Sequence, residues 1–534
     1  MVAEPPHAPV ASPTTGAVTS HASRMTDAEA LMWNLERDPR LSSTFGTVLV
    51  CEGEIDLDRL RARLRSALAG LPRLTSRVAP PPGGLGNPSW QPDDDFELEH
   101  HVRAVSLPAP GTLAQLSEFT ARLVQEPFDR TRPLWEFVVV SGLAAPGGPS
   151  ARPAGPRPAP DLRSAPGDSA LVMKVHHSIA DGNAAVKMAE AYLDLEALPA
   201  WPAPPPGDPA DAASPGPPSD AQRDAEQAGR PGCGTEHALD GVRGAVGWLV
   251  ARNVRLGRRL AGEIGMAFAD PERIPEALRL AGRGLASAST QLAPPDDAAH
   301  STLWRARSRR RQLELIDLPL EAVRRAAKAL GGSLNDFFVA GTLDACVRYH
   351  ERHDCPLEAL TFTFIVSTRT DGSTAANAFT PSRATVDAAS TDPATYFSRA
   401  QQAMAPGRSS ARSGALFTSL AGLAGLLPTS AVTRLARSQA AAIDFATSNV
   451  RGAPFEVFVA GARVRRVYPV GPVAGTGFNL TLMSYNGQLG LGLHADPAAV
   501  HDPALLRDLL EDAYRDLIEA ADEVAAARAT EAAP

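Results

Sequence analysis

The chain has 534 residues, which is long enough for two domains that each bury a core. Its formal net charge is −8 and its pI is about 5.9, which argues against a general nucleic-acid-binding protein. The cysteines at positions 51, 233, 346 and 355 are scattered and fit neither a disulfide framework nor a zinc knuckle, so a reducing cytosol is the simpler environment.

Composition divides the chain into ordered and low-complexity segments. Pro, Ala, Ser and Thr dominate residues 1–24, which predicts a disordered tail without the basic and apolar regions of a secretory signal. Residues 145–167 lack apolar periodicity and predict a flexible insertion, and proline dominates the predicted linker at 199–240. The remaining predicted units are an N-terminal domain at 25–198, a basic helical connector at 241–300, a C-terminal domain at 301–527 and a tail at 528–534.

The N-terminal domain opens with a helix start. Thr26 as N-cap and Glu29 three residues later predict a capping box, after which residues 44–50 read as a strand. Residues 135–140 form another predicted strand, rich in β-branched and aromatic side chains. The His-His pair at 100–101 precedes that strand and is predicted to be structural, because no Asp-Gly follows it.

Residues 171–183, which read LVMKVHHSIADGN, carry the strongest chemical signal. The first five residues form a mostly apolar run, which predicts a strand buried on both faces. His176 and His177 follow where the strand gives way to a turn, and Gly182 can take a backbone conformation that is closed to other residues. Apolar residues then recur at helical spacing, which predicts a helix over 183–195.

The histidine pair suggests removal of a proton from a hydroxyl or an amine. A neutral imidazole at a strand end can accept a proton near pH 7. Asp181, four residues after the second candidate base His177, can hold the loop that aims it. The alternative is that the pair only caps the end of the strand.

The C-terminal domain contains a second capped helix and a strand that leads into an arginine. Ser333 is predicted to cap a helix over 334–349, with Asp336 at its third position. Residues 361–368 read as a strand that ends at Arg369. Capping explains Asp336 physically, so its presence does not require a catalytic role.

Three side chains that often bind metals, His350, His353 and Cys355, lie close together near the end of this helix. Charged residues lie beside them. This composition favours a solvated helix terminus over a metal site, and no metal site is predicted in the chain.

Two segments have the composition of interfacial elements. Residues 413–433 carry no charge over 21 positions, but Gly, Ser, Thr and Pro dilute them, which favours a buried or interfacial helix over a membrane span. Residues 242–286 carry eight arginines against four acidic residues and could lie on an anionic membrane or oil surface. The alternative for residues 242–286 is an ordinary amphipathic helix packed between the domains.

Short motifs in a fixed order resemble those of the bacterial wax ester synthase/diacylglycerol acyltransferase family. The histidine motif HHxxxDG also occurs in peptide-synthetase condensation domains, so the resemblance depends on the whole set. The matching positions, in chain order, are Pro133-Leu134-Trp135, His176-His177 with Asp181-Gly182, Asn335-Asp336, Arg369, Ser448-Asn449 and the closing region 460–486.

The resemblance implies an α/β two-domain CoA-dependent acyltransferase fold, with mixed sheets, flanking helices and an interdomain channel. It implies transfer of a long-chain acyl group from acyl-CoA to diacylglycerol or a long-chain alcohol, with acyl-CoA as co-substrate and no further cofactor. His177 is the expected base, and His176 is expected to support the turn. Asp181 is expected to hold the loop with Arg369 as a candidate partner, and Asn335 is the expected contributor from the second domain.

Two alternatives to this function stay open. The enzyme could acylate another hydroxyl or an amine, or the chain could be a weakly active relative that mainly binds lipid inclusions. Insoluble acceptors imply work at an interface, so a cytoplasmic protein is expected at the inner face of the membrane or on lipid inclusions. No nucleic-acid partner is expected.

Overall fold

The computed structural model describes residues 23–81, 86–144, 167–179, 188–197, 301–367, 379–389, 391–411 and 429–531. The described residues up to 197 are called the N-terminal half below, and those from 301 onward the C-terminal half. Two large β-sheets and a small three-stranded sheet carry helices on their faces. The predicted mixed α/β architecture is therefore confirmed.

The secondary structure alternates between strands and helices along both halves. The described strands are β1 Ser23–Arg24, β2 Thr44–Glu52, β3 Ser76–Ala79, β4 Ser89–Pro92, β5 Val102–Ser106, β6 Trp135–Leu143, β7 Asp168–His176, β8 Leu193–Asp194, β9 Gln312–Pro319, β10 Ala359–Ser367, β11 Phe379–Asp387, β12 Phe445–Arg451, β13 Phe458–Val459, β14 Ala462–Val470, β15 Phe478–Tyr485 and β16 Gln488–Ala495. The described helices are α1 Asp27–Leu35, α2 Leu57–Leu68, α3 Leu98–His101, α4 Leu113–Gln125, α5 Leu320–Ala329, α6 Leu334–Arg352, α7 Pro393–Ala411, α8 Thr429–Ala441 and α9 Pro503–Glu531.

The first large sheet positions the histidine motif. Its strand order is β5-β6-β7-β2-β14-β13-β8, so β7 lies between β6 and β2 and runs antiparallel to both. All nine residues of β7 are buried, which confirms the prediction of a strand covered on both faces. At its end, Val175 pairs with Trp135 and His176 pairs with Thr44.

The second large sheet lies in the C-terminal half, with the strand order β11-β10-β12-β15-β16-β9. Its core is rich in aromatic side chains, and the rings of Phe362, Phe445 and Phe478 stack in sequence at centroid distances of 5.3 and 5.1 Å. Helices α6 and α9 pack together, where the Cβ-free Gly341 admits the ring of Tyr514. This apolar core is continuous across the helices and the sheet.

The two halves share a sheet. The C-terminal half contributes β13 and β14, and β14 pairs with β2 while β13 pairs with β8. Strand β16 crosses β14 so closely that a Cβ atom on Gly492 would lie 1.9 Å from the Pro469 carbonyl oxygen. A second small core joins the halves where Val48 and Leu116 pack with Leu313 of β9.

Helix caps agree with the local sequence. Both components of the capping box are present at Thr26 with Glu29 and again at Ser333 with Asp336. Asp502 accepts a hydrogen bond from the Leu505 backbone N–H at 3.0 Å at the start of α9. These caps depend only on residues within one turn, which is why the sequence reveals them.

Two local predictions are wrong, both because contacts distant in sequence decide them. The helix predicted over 183–195 does not reach its predicted end, since Leu193–Asp194 is a strand that pairs with Phe458–Val459. His350 does not lie at a solvated helix terminus. It is fully buried, and its Nε2 lies 2.6 Å from the Ser301 hydroxyl while Nδ1 donates to the Cys346 carbonyl at 2.7 Å.

Several predicted segments lie outside the described residues: 1–22, 145–166, 198–300, most of 413–433, and the positions of Asp181, Gly182 and Arg369. Among the helices that the structure describes, none combines the length and the apolar character needed to cross a bilayer.

Candidate active site

The histidine pair lies at the exit of a buried strand. Strand β7 ends at His176, and the turn closes with a hydrogen bond from the Ile179 backbone N–H to the His176 carbonyl at 2.9 Å. The backbone N–H of His177 donates to the Ser43 carbonyl at 3.2 Å, just before β2 begins. Both neighbouring strands therefore hold the backbone that presents the two imidazoles.

His176 is enclosed. Its side chain is 1% exposed, and its Nδ1 accepts a hydrogen bond from the Ser178 backbone N–H at 3.1 Å. The Ser178 hydroxyl lies 2.7 Å from the same nitrogen. This network assigns the hydrogen to Nε2, which faces the Glu36 carboxylate at 3.4 Å. His176 is therefore fixed in tautomer and orientation.

Glu36 is the residue of this site that sequence reasoning missed. It follows the last turn of α1 and accepts hydrogen bonds from the Ser42 hydroxyl at 2.7 Å and from the Ser43 backbone N–H. Burial alone would raise its pKa, but the contact with His176 and these hydrogen bonds outweigh burial and hold the pKa below its ordinary value. Because Ser43 also binds the backbone of His177, one carboxylate positions both histidines.

A weak signal for Glu36 does exist in the sequence. A carboxylate at a helix C-terminus opposes the helix dipole and needs a compensating partner. Nothing in the sequence identifies that partner as a histidine at position 176.

His177 has a different environment from its neighbour. Its side chain is half-buried rather than enclosed, and its ring packs against Phe45 with centroids 4.4 Å apart. Phe45 is the second residue of β2, on the opposite face of that strand from Thr44, which lies beside His176. Of the two imidazoles, His177 is the less buried.

The Pro133-Leu134-Trp135 motif supports the strand end from the other side. All three residues are buried. The Leu134 carbonyl accepts a hydrogen bond from the His176 backbone N–H at 3.0 Å, and the Trp135 indole donates to the Leu74 carbonyl at 2.7 Å. The motif therefore acts on the backbone of His176 and touches neither imidazole nor solvent.

The earlier histidine pair packs against this motif. His101 is 1% exposed, its ring stacks on Trp135 at 4.7 Å, and its Nδ1 lies 2.7 Å from the Trp135 carbonyl oxygen. This geometry agrees with the structural role predicted for the pair.

A buried lysine lies two residues before His176 on the same face of β7. Lys174 is fully buried, its Nζ lies 3.2 Å from a Glu136 carboxylate oxygen and 4.3 Å from the centre of the Phe128 ring. Burial lowers the pKa of Lys174, and the Glu136 carboxylate opposes that effect. Phe128 also contacts His176 edge-on, so one aromatic ring closes the side of both polar groups.

The predicted positions of the C-terminal half lie in two places. Asp336 caps α6 and receives the Arg408 guanidinium at 2.6 Å, and the Asn335 amide contacts the Met404 sulfur at 3.5 Å. Among the described residues, no hydrogen bond joins the Asn335 side chain to the histidine pair. Ser448 and Asn449 lie in the last part of β12, half-buried and exposed respectively.

No group of three or more His, Cys, Asp or Glu side chains in the described ranges is arranged to hold a metal ion. His350, His353 and Cys355 do not form such a group. The end of β7 presents a half-buried imidazole beside an enclosed one that a carboxylate supports.

Comparisons with known proteins cover both halves. The sequence model described as "Wax ester synthase/diacylglycerol acyltransferase catalytic domain" matches residues 25–147 and 165–338, and that described as "WS/DGAT C-terminal domain" matches 376–518. A Mycobacterium tuberculosis protein, whose name gives diacylglycerol O-acyltransferase as a provisional activity, is 27% identical over 91% of this chain and 90% of its own length. Another from the same organism is 26% identical over 87% of this chain and 83% of its own.

Solved structures share the fold at low sequence identity. The wax ester synthase/diacylglycerol acyltransferase from Marinobacter aquaeolei VT8 has a TM-score of 0.57 and 19% identity, and the alignment covers 94% of this chain and all of that one. The first condensation domain of the calcium-dependent antibiotic synthetase has a TM-score of 0.53 and 17% identity, with 94% and 97% covered. At these identities the structural similarity concerns the fold.

Proposed function

This chain belongs to the wax ester synthase/diacylglycerol acyltransferase family, and from that premise we propose that it transfers a long-chain acyl group from acyl-CoA to diacylglycerol or a long-chain alcohol. The products would be triacylglycerol or a wax ester. One observation carries the proposal. At the end of β7 an enclosed imidazole is locked by a carboxylate, and the next residue presents a second imidazole that is open to substrate.

His177 is the proposed general base. Its imidazole takes the proton of the acceptor hydroxyl as the oxygen attacks the thioester carbonyl, forming a C–O bond. The tetrahedral intermediate then breaks its C–S bond, and the proton on His177 passes to the departing CoA sulfur. The thioester is already activated by its leaving group, so the reaction needs no covalent enzyme intermediate.

His176, Glu36 and the Pro133-Leu134-Trp135 motif are proposed to position this base. Glu36 is held ionised, orients His176 directly and binds Ser43, whose carbonyl receives the His177 backbone N–H. A rigid backbone matters because a general base must lie within hydrogen-bond reach of the proton it removes. Asp181 and Arg369, which lie outside the described residues, stay candidates for holding the following loop.

The names of the relatives support the acceptor class. The Mycobacterium tuberculosis relatives are named for diacylglycerol, and the Marinobacter protein is named for both wax esters and diacylglycerol. Because these acceptors and products are nearly insoluble, the proposed place of work is the inner face of the membrane or a lipid inclusion. The basic segment 242–286 would supply the attachment.

Product identification tests the proposal. Purified protein receives labelled palmitoyl-CoA with diacylglycerol, hexadecanol or hexadecylamine in parallel reactions, and His177→Ala serves as the control for uncatalysed transfer. Labelled triacylglycerol or wax ester formed only by the wild type is the expected result. Exclusive formation of an amide would replace the proposed acceptor class, and binding of lipid droplets without any transfer would indicate a lipid-inclusion-binding relative.

A further inference from the structure

A small, partly open cavity lies between the two halves, next to the Glu36 network. Its volume is about 30 Å³, which is room for one small polar group and not for a whole substrate. On the side of the N-terminal half, the Ser42 and Thr44 hydroxyls line it, and both donate to the Glu36 carboxylate. Through these two hydroxyls the cavity wall is linked to the carboxylate that contacts His176.

On the opposite wall, His494 presents an unused acceptor. The side chain is 3% exposed, and its Nδ1 lies 2.7 Å from the Gly471 carbonyl oxygen, to which it must donate. The other nitrogen, Nε2, is then a lone pair, and it has no hydrogen-bond partner among the described residues. A buried acceptor of this kind costs free energy unless a donor reaches it.

The same wall carries two arginines, one of which is paired with a carboxylate. Arg311 lies 3.5 Å from Asp496, and that carboxylate also accepts hydrogen bonds from Ser308. Arg309 lines the cavity, is exposed to solvent, and forms no ion pair with the described carboxylates. The cavity thus offers positive charge at its mouth and a hydrogen-bond acceptor at its base.

We infer that this cavity takes a hydroxyl group that donates to His494 Nε2, while the phosphate ester beside that hydroxyl lies at the mouth of the cavity on Arg309 and Arg311. A carboxylate alone would satisfy the arginines but would bring no donor to the imidazole. If the proposed function holds, on which the identity of the ligand rests, the ligand is the phosphorylated end of the acyl-CoA donor, which carries phosphates beside ribose and pantoyl hydroxyls.

Calorimetric titration of the full chain with defined fragments tests the site. The probes are adenosine 3′,5′-bisphosphate, its 2′-deoxy analogue and inorganic phosphate at matched ionic strength. The variants are Arg309→Gln and His494→Phe, and Arg310→Gln is the matched control, since Arg310 is equally exposed but does not line the cavity. Thermal unfolding of each variant checks that it is folded.

Wild type is expected to bind adenosine 3′,5′-bisphosphate, and Arg309→Gln is expected to weaken that binding about tenfold or more, as for a hydrogen bond to a charged group. The deoxy analogue should bind wild type about fivefold more weakly than the ribose compound, and this difference should vanish in His494→Phe. Equal affinities in Arg309→Gln, Arg310→Gln and wild type would overturn the inference, as would binding of inorganic phosphate alone.

Kinetics separate this inference from the proposed function. With palmitoyl-CoA, Arg309→Gln should raise KM with a smaller effect on kcat, and the loss in kcat/KM should be smaller with S-palmitoyl-pantetheine, which has no phosphate. Acyl transfer with an unchanged KM for palmitoyl-CoA in Arg309→Gln would reject the phosphate site at this cavity but leave the proposed acyltransferase function standing. Arg309-dependent binding of adenosine 3′,5′-bisphosphate by a protein that transfers no acyl group would support the phosphate site and reject the proposed function.

Discussion

Adjacent positions in one motif have opposite environments. His176 is 1% exposed and lies between Ser178 and Glu36, whereas His177 is half-buried against Phe45. Adjacent residues at a strand end diverge in this way because the strand alternation places one side chain inward and the turn releases the next. The half-buried position of His177 is the reason for proposing it, rather than His176, as the base.

Replacing His177 with Ala should therefore abolish most acyl transfer and leave the fold intact. Loss of a general base typically lowers the rate by about 10²–10⁴-fold. Single-turnover transfer from palmitoyl-CoA, together with the melting temperature, checks both parts. A folded His177→Ala protein with nearly wild-type turnover would reject the assignment of the base.

Glu36→Gln should show that this carboxylate positions the histidines. The substitution keeps the shape of the side chain but removes the negative charge beside His176 Nε2. At metal sites that use the same carboxylate–histidine pairing, loss of the carboxylate typically lowers activity by about tenfold to a hundredfold. The measurement is kcat/KM against pH, whose acidic limb should move to lower pH because a nearby negative charge is gone.

Glu54→Gln is the control, since Glu54 is an exposed carboxylate beyond the opposite end of β2 from the histidines. An unchanged rate and an unchanged pH profile in Glu36→Gln would limit Glu36 to a role in folding. A lower melting temperature alone would not distinguish the two roles.

At the scale of elements, β6 and β7 form a hairpin around the insertion at 145–166. The last residue of β6, Leu143, pairs with Asp168 at the start of β7, so the two chain ends are already adjacent. Strand pairing that extends to the hairpin end needs only a short connection. The pairing of β6 with β7 is therefore complete up to Leu143 and Asp168.

Deletion of residues 145–167 in favour of a short Gly-Ser turn should leave acyl transfer and thermal stability close to wild type. The segment has few large apolar side chains, and closing a shorter loop costs less conformational entropy. Turnover and the melting temperature of the deletion protein are the measurements. A folded deletion protein with a large loss of turnover would mean that the insertion shapes the substrate channel.

At the scale of the whole molecule, two buried histidines make the fold sensitive to acid. Burial lowers the pKa of His350 to about 4 and that of His494 to about 4. Each donates a hydrogen bond from Nδ1 to a backbone carbonyl, which opposes the lowering of the pKa, but burial outweighs it and keeps the ring neutral. Below the unfolded-state pKa of 6.5, these histidines bind protons in the unfolded chain but not in the folded chain.

The free energy of unfolding should accordingly be at its plateau above about pH 6.5 and should fall as the pH drops toward about 4, by up to roughly 3 kcal/mol for each histidine. Urea unfolding at a series of pH values measures it. His350→Gln should flatten the dependence, and His353→Gln, at the exposed neighbouring position, should not. Equal slopes in all three proteins would contradict the prediction.

Attachment to a lipid surface is a property of the whole chain. Insoluble acceptors require an interface, and the sequence places four excess arginines in residues 242–286. Each basic residue near an anionic surface contributes about 1 kcal/mol, and salt screens that contribution. Co-sedimentation with anionic vesicles should therefore be weakened by raised salt and by a quadruple replacement with Gln at Arg252, Arg255, Arg258 and Arg259.

A control variant carries the same number of replacements at exposed arginines elsewhere: Arg122, Arg324, Arg352 and Arg515. Its vesicle binding should stay close to wild type. Binding that neither salt nor the quadruple replacement changes would exclude the basic segment and leave the charge-free segment 413–433 as the candidate.

The sequence by itself determined the features that depend on neighbouring residues. The buried strand before His176 follows from a run of apolar residues, and the caps at Thr26 and Ser333 follow from side chains within one helical turn. The order of the short motifs identified the family and hence the fold. Each of these signals lies within a short stretch of sequence, and the family motifs are recognised by their order along the chain.

Only the tertiary structure decided which residues meet across long separations. It brought Glu36 to His176, paired Leu193–Asp194 with Phe458–Val459 instead of extending a helix, and buried His350 beneath Ser301. Such contacts depend on how the halves share a sheet, and no local propensity encodes that arrangement. Packing and backbone pairing outweigh helix propensity because propensity amounts to less than about 1 kcal/mol per residue.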